Sequence, residues 1–150
     1  MKSFRDYFVD NVIDYLCIIW TFIQDTVGFL TAVITNCVKE EVIIEEKRYI
    51  IYIAQRFNKN WSGVSLGDFI IFADYKYADY HSVKHEFGHQ KQSLYLGPLY
   101  LIAVGIPSAI RNLYDRFVHR NWTVKERIKW YYNGYPEKWA DKLGNVQRKY

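Results

Sequence analysis

Hydrophobic and polar positions divide the chain into three textures. From Tyr15 to Val38 the only formal charge is Asp25, which predicts one or more apolar N-terminal helices. A second uncharged run, Gln92 to Ile110, lies between Lys91 and Arg111. It contains Gly97, Pro98, Gly105 and Pro107, residues that end or kink a helix. Between these runs, Val42-Ile43-Ile44, Tyr49 to Ile53 and Phe69-Ile70-Ile71-Phe72 are short β-branched and aromatic stretches that read as strands. Asn58 to Gly63 reads as a turn and Val64 to Gly67 as the approach to the last strand. A small antiparallel sheet is therefore expected between residues 42 and 73.

Helix boundaries follow from capping chemistry. Asp79 and Ser82 are both N-cap candidates for a helix that ends near Gly97-Pro98. Thr123-Val124-Lys125-Glu126 has capping-box spacing and starts a helix through Tyr131, which Asn133-Gly134-Tyr135 breaks. Pro136 suits the first turn of a last short helix. The expected fold is α+β: a small antiparallel sheet packed on the helix at residues 85–89 and on further helices, preceded by an apolar helical segment. At 150 residues one domain is expected, with 1–38 as the N-terminal segment and 39–150 carrying the sheet and the remaining helices.

Composition adds a question about surroundings. Fourteen Tyr, nine Phe and five Trp suit either a thick aromatic core or a protein that meets a membrane interface. Both uncharged runs are long enough to span a bilayer; Gln24 and Asp25 argue against the first and the Gly and Pro residues against the second. Membrane-associated and cytoplasmic locations both stay open, and the start of the chain shows no signal-peptide cleavage site. Residues 111–150 hold ten Lys or Arg against four Asp or Glu, which predicts a solvated basic face. No nucleic-acid-binding motif accompanies it, so a nucleic-acid partner is not expected, whereas anionic lipid headgroups are attracted equally well. Cys17 and Cys37 lack CxxC spacing and read as small buried hydrophobes.

The chemistry concentrates in His85-Glu86-Phe87-Gly88-His89. On a helix, positions 85 and 89 lie one turn apart on one face, so two imidazoles can reach one cation. Glu86 sits about 100° round the helix, close enough to act as general base on a water without being a ligand. Gly88 permits close approach of another backbone. A second motif, Glu137-Lys138-Trp139-Ala140-Asp141, sets two carboxylates one turn apart. Glu137 can be the third ligand, and Asp141 can accept the outer N–H of a ligating histidine.

Other residues compete less well. His81 lies on the same stripe, but ligands from three consecutive turns of a straight helix do not converge on one tetrahedral ion. His119 reads as a surface residue and Glu126 is committed to its cap. Tyr131, Tyr132 and Tyr135 are candidates for assisting an oxyanion, beside a simpler role in an aromatic core. The metzincin extension needs Gly and His where this chain has Gln92 and Tyr95.

Together, His85, Glu86, His89, Glu137 and Asp141 resemble the HExxH…ExxxD pattern of the gluzincin metallopeptidases. The stretches Ser65-Leu66-Gly67, His85 to Ser93, Leu96 to Tyr100, Gly105 to Ser108 and Glu137 to Gly144 also resemble a family of small uncharacterised bacterial proteins, over about residues 62 to 146. The resemblance implies a zincin-like domain with zinc on His85, His89 and Glu137, Asp141 behind a ligand and Glu86 as the catalytic base. It further implies hydrolysis of a peptide or protein substrate, in a cleft lined by a strand over Val64 to Phe72 to whose edge an extended peptide can add. Two alternatives remain at this stage: a non-catalytic zinc clamp, and a membrane-bound helical protein whose histidines are incidental.

Overall fold

The computed structural model describes residues 4–57 and 61–148, with side chains from residue 19 onward. Cys17 and the first part of the expected turn, Asn58 to Asn60, therefore lie outside the described side chains and residues. The elements in chain order are α1 (Phe4–Ile34), β1 (Val38–Ile44), β2 (Lys47–Ile53), β3 (Gly63–Leu66), β4 (Phe69–Phe72), α2 (Tyr80–Leu96), α3 (Ile106–Val118), α4 (Val124–Tyr132) and α5 (Glu137–Gly144). A 3-10 turn (Gly97–Leu99) and a π-helical turn (Leu101–Gly105) join α2 to α3. The breakers of the second uncharged run thus divide it into four short pieces. Among the described residues, no helix is long and apolar enough to cross a membrane.

The fold is α+β, but the sheet is mixed rather than antiparallel. Its order is β1-β2-β4-β3, with β1–β2 and β3–β4 antiparallel and β2–β4 parallel through Tyr52↔Ile71 and Ile53↔Phe72. The physical reason is in the two last strands. Phe69-Ile70-Ile71-Phe72 is apolar at every position and suits an interior strand covered on both faces, whereas Gly63-Val64-Ser65-Leu66 is shorter of hydrophobic bulk and takes the edge. β4 sits between β2 and β3 and runs parallel to β2. The expected single strand over Val64 to Phe72 is accordingly a hairpin, and only β3 borders the cleft.

Ile44, Tyr49, Ile51, Ile53, Ile70 and Phe72 form the core against Val83 and Phe87 of α2. Asp79 is the N-cap of that helix, accepting from the N–H groups of His81 and Ser82 at 2.8 and 3.0 Å. Thr123 and Glu126 make the expected capping box at α4. Gln24 and Asp25, which argue against a bilayer span, turn out to dock α1. Gln24 is fully buried and donates to Gly97 O at 2.7 Å and Ser93 Oγ at 3.0 Å. Asp25 Oδ1 accepts from Asp68 N at 2.7 Å and so fastens the β3–β4 turn. Cys37 is half-buried rather than buried.

Candidate metal centre

Two helices cross with their backbones in contact, and this crossing builds the site. A Cβ on Gly88 of α2 would lie 2.0 Å from the carbonyl oxygen of Ala140, and one on Gly144 of α5 would lie 2.0 Å from Lys84 O. Only glycine allows that approach. The crossing places Glu137, at the start of α5, over the face that carries His85 and His89. Glu137 Oε2 is 3.0 Å from His85 Nε2 and 3.2 Å from His89 Nε2. The ligand atoms of all three buried residues lie within 4.8 Å of one another.

The surrounding hydrogen bonds fix how these groups are protonated. Gln92 Nε2 donates to Pro136 O at 3.1 Å, which turns Gln92 Oε1 to His89 Nδ1 at 2.7 Å. His89 Nδ1 is therefore the N–H. Asp141 accepts from both Nε and Nη2 of Arg148, at 2.7 and 2.9 Å, and takes the N–H of His85 Nδ1 at 2.7 Å. In the neutral imidazoles, then, both Nε2 atoms present lone pairs to Glu137 Oε2. Three acceptors around one point repel unless a cation sits among them. Tetrahedral bonds of about 2.0–2.1 Å separate neighbouring ligand atoms by roughly 3.4 Å, close to the 3.0 and 3.2 Å between Glu137 and the two histidines, so the donor set could hold a metal ion.

Glu137 is held from its other side. Its Oε1 accepts from Ser108 Oγ of α3 at 2.5 Å and from the Tyr131 hydroxyl of α4 at 3.1 Å, leaving Oε2 for the histidines. Burial pushes the Glu137 carboxyl up, yet His85 and His89 beside it hold it well below the usual carboxylate range. Burial likewise opposes the charge on Asp141, and the contacts with His85 and Arg148 keep it ionised. The Tyr132 ring meets the His85 ring edge-on at 5.0 Å and carries the Arg148 guanidinium on its face.

Glu86 is buried without being one of these ligands. Its Oε2 has no hydrogen-bond partner, and burial pushes its carboxyl up. Its Oε1 packs where a side chain on Gly63 of β3 would begin, 3.1 Å from that Cβ position. Glu86, His85, His89 and Glu137 all line a cavity of about 1210 Å³ bounded by β3, the end of α1, the π-helical turn and α3.

Protonation of the metal-free site has a readable consequence. Burial works against charge on His85, but Asp141 and Glu137 raise its pKa from 6.5 to about 9. Because the folded chain then holds this proton more tightly than the unfolded one, the stability it contributes is complete below pH 6.5 and is lost as pH rises through 9. Chelator-treated protein is expected to lose stability on the order of 3 kcal/mol across that window. Guanidinium midpoints measured from pH 6.5 to 9 check it, and a flat profile would refute this arrangement of imidazolium and carboxylates.

The remaining candidates fall elsewhere. His81 is exposed on the first turn of α2 and does not line the cavity. His119 is buried, not superficial: it stacks on Trp122 with ring centroids 3.8 Å apart and meets Trp130 edge-on. Tyr131 is engaged with Glu137, and the Tyr135 hydroxyl donates to Ala103 O at 2.5 Å. Gln92, Ser108 and Arg148 are supporting residues that the sequence reading did not single out for this role. Only the i, i+3 spacing of His89 and Gln92 carried a local signal.

In comparisons with protein families, with curated proteins and with solved structures, the chain matches no family model, no curated protein and no solved structure. The ground for function is thus the site itself, a buried His-His-Glu group that could hold a metal ion.

Proposed function

We propose that the chain is a zinc-dependent hydrolase, acting on peptide bonds in the manner its gluzincin resemblance implies. The observation that carries this reading is the geometry of three ligands and a cavity. Among the described residues the group consists of His85, His89 and Glu137 alone, all lining open space, and neither His81 nor His119 comes near enough to close it. A structural zinc site closes with four protein ligands, whereas a catalytic one keeps a position for water or substrate. An ion bound here supplies Lewis acidity and a water of lowered pKa.

The chain's own residues support the rest. Glu86 Oε2, buried and unpartnered, is suited to take the proton of the attacking water and return it to the leaving amine. Asp141 and Gln92 set the tautomers of the two histidines, and Ser108 and Tyr131 orient the carboxylate of Glu137. β3 supplies an edge for an extended substrate. Ala73 N donates to Ser62 O at 3.0 Å, so by the alternation of antiparallel pairs the polar groups of Gly63 and Ser65 turn to the open side. Ser65 O is already taken by the Tyr100 hydroxyl at 2.9 Å. A peptide pairing with this edge therefore registers on Gly63 and the N–H of Ser65.

Metal content per chain, by elemental mass spectrometry on dialysed protein, tests the site. We expect about one zinc in the wild type and at least a tenfold loss of affinity in Glu137→Ala. No metal in the wild type, with no uptake of added zinc, rejects the proposal.

A further inference from the structure

α3 is amphipathic with its faces inverted. Ser108, Arg111 and Asp115 share the face turned into the protein: Ser108 holds Glu137, Arg111 Nε donates to Tyr131 O at 2.8 Å, and Asp115 pairs with Arg127 at 2.6 Å. The opposite stripe, Ile106, Ile110, Leu113 and Phe117, follows helical spacing and is exposed to solvent. A surface helix normally turns its apolar stripe to the core. The stripe starts at the rim of the cavity, which Ile106 and Leu113 line, and runs outward along the α3–α4 hairpin.

The end of that hairpin is more exposed still. Phe117 is 75% exposed and Val124 71%, with Val118 and Trp122 also at the surface. Among them stand Arg120 and Lys125, both exposed. Residues 106–132 carry six Lys or Arg against two Asp or Glu, and both carboxylates are committed. Asp115 is buried against Arg127, and Glu126 closes the capping box with Thr123. Apolar and aromatic side chains projecting beside the exposed Arg120 and Lys125 match the boundary between acyl chains and anionic headgroups.

We infer that the α3–α4 hairpin docks on the surface of an anionic lipid bilayer, with Phe117, Val118, Trp122 and Val124 entering the headgroup boundary and Arg120 and Lys125 at the phosphates. The α3 stripe then lies along the bilayer, so the cavity opens at the membrane surface. The inference stands on the hairpin and uses none of the metal ligands, so it survives or fails separately from the hydrolase reading.

Sedimentation of the full chain with phosphatidylcholine vesicles, with and without about one third phosphatidylserine, tests it. Binding is expected to the anionic vesicles only, and to weaken as salt rises. Arg120→Gln with Lys125→Gln should reduce partitioning by about thirtyfold. Phe117→Asp with Val124→Asp should abolish it, with the thermal melt showing that these surface variants remain folded. Equal binding to both vesicle types, or none to either, overturns the inference on the wild type alone. So does light scattering that finds a vesicle-indifferent dimer which Phe117→Asp with Val124→Asp converts to monomer, since the stripe then serves a second copy of the chain.

Discussion

Glu86→Gln is expected to keep its metal and lose hydrolysis by a factor of about 10²–10⁴, the usual worth of a positioned general base. The exchange preserves shape and removes only the basic oxygen. His85, His89 and Glu137 are fixed by Asp141, Gln92, Ser108 and Tyr131, none of which is bonded to Glu86. A carboxyl whose Oε2 is buried without a partner, and which burial makes more basic, loses most of that function as an amide. Zinc per chain and kcat/KM on a peptide library separate the possibilities. Full activity in the variant discards Glu86 as the base. Zinc bound by a wild type that cleaves nothing places the centre among structural clamps.

Gly88→Ala is expected to lower the thermal midpoint and strip the metal together. On an exposed helix the same change stabilises by about 1 kcal/mol through propensity. Here the new methyl would lie 2.0 Å from Ala140 O, so α5 has to retreat, and overpacking of this kind costs about 1–3 kcal/mol or more. Glu137 rides on α5 and moves with it. The sign of the change is therefore diagnostic: a raised midpoint with zinc retained would mean that the two backbones do not meet as described.

Local chemistry made a large part of this molecule readable in advance. Asp79, Thr123 with Glu126, and Gly97 marked helix ends because capping depends on neighbours in the chain. The pairing of His85 with His89, and of Glu137 with Asp141, was legible because one helical turn fixes which residues share a face. The motifs offered Glu137 as a third ligand and Asp141 behind a histidine, but their meeting depends on Gly88 and Gly144 reaching backbones 52 to 60 positions away, which no local pattern encodes. The parallel β2–β4 pairing is not encoded by local pattern, which says nothing of strand order, although the unbroken apolar run of Phe69 to Phe72 marks an interior strand. Gln24 and Asp25 looked like flaws in a hydrophobic run, and His119 like a stray surface residue. Each is explained by partners distant in sequence or by aromatic stacking that periodicity does not encode.

The chain order of the three candidate ligands sets a timing on assembly. His85 and His89 emerge from synthesis together, but Glu137 follows 48 residues after His89 and reaches them only once α3, α4 and α5 have folded back. Two imidazoles on one helix hold a metal weakly, and the third ligand arrives with the closure of a long loop. A partly made chain would consequently be a poor scavenger of metal, and an ion held by this group would be captured late, by a nearly finished fold.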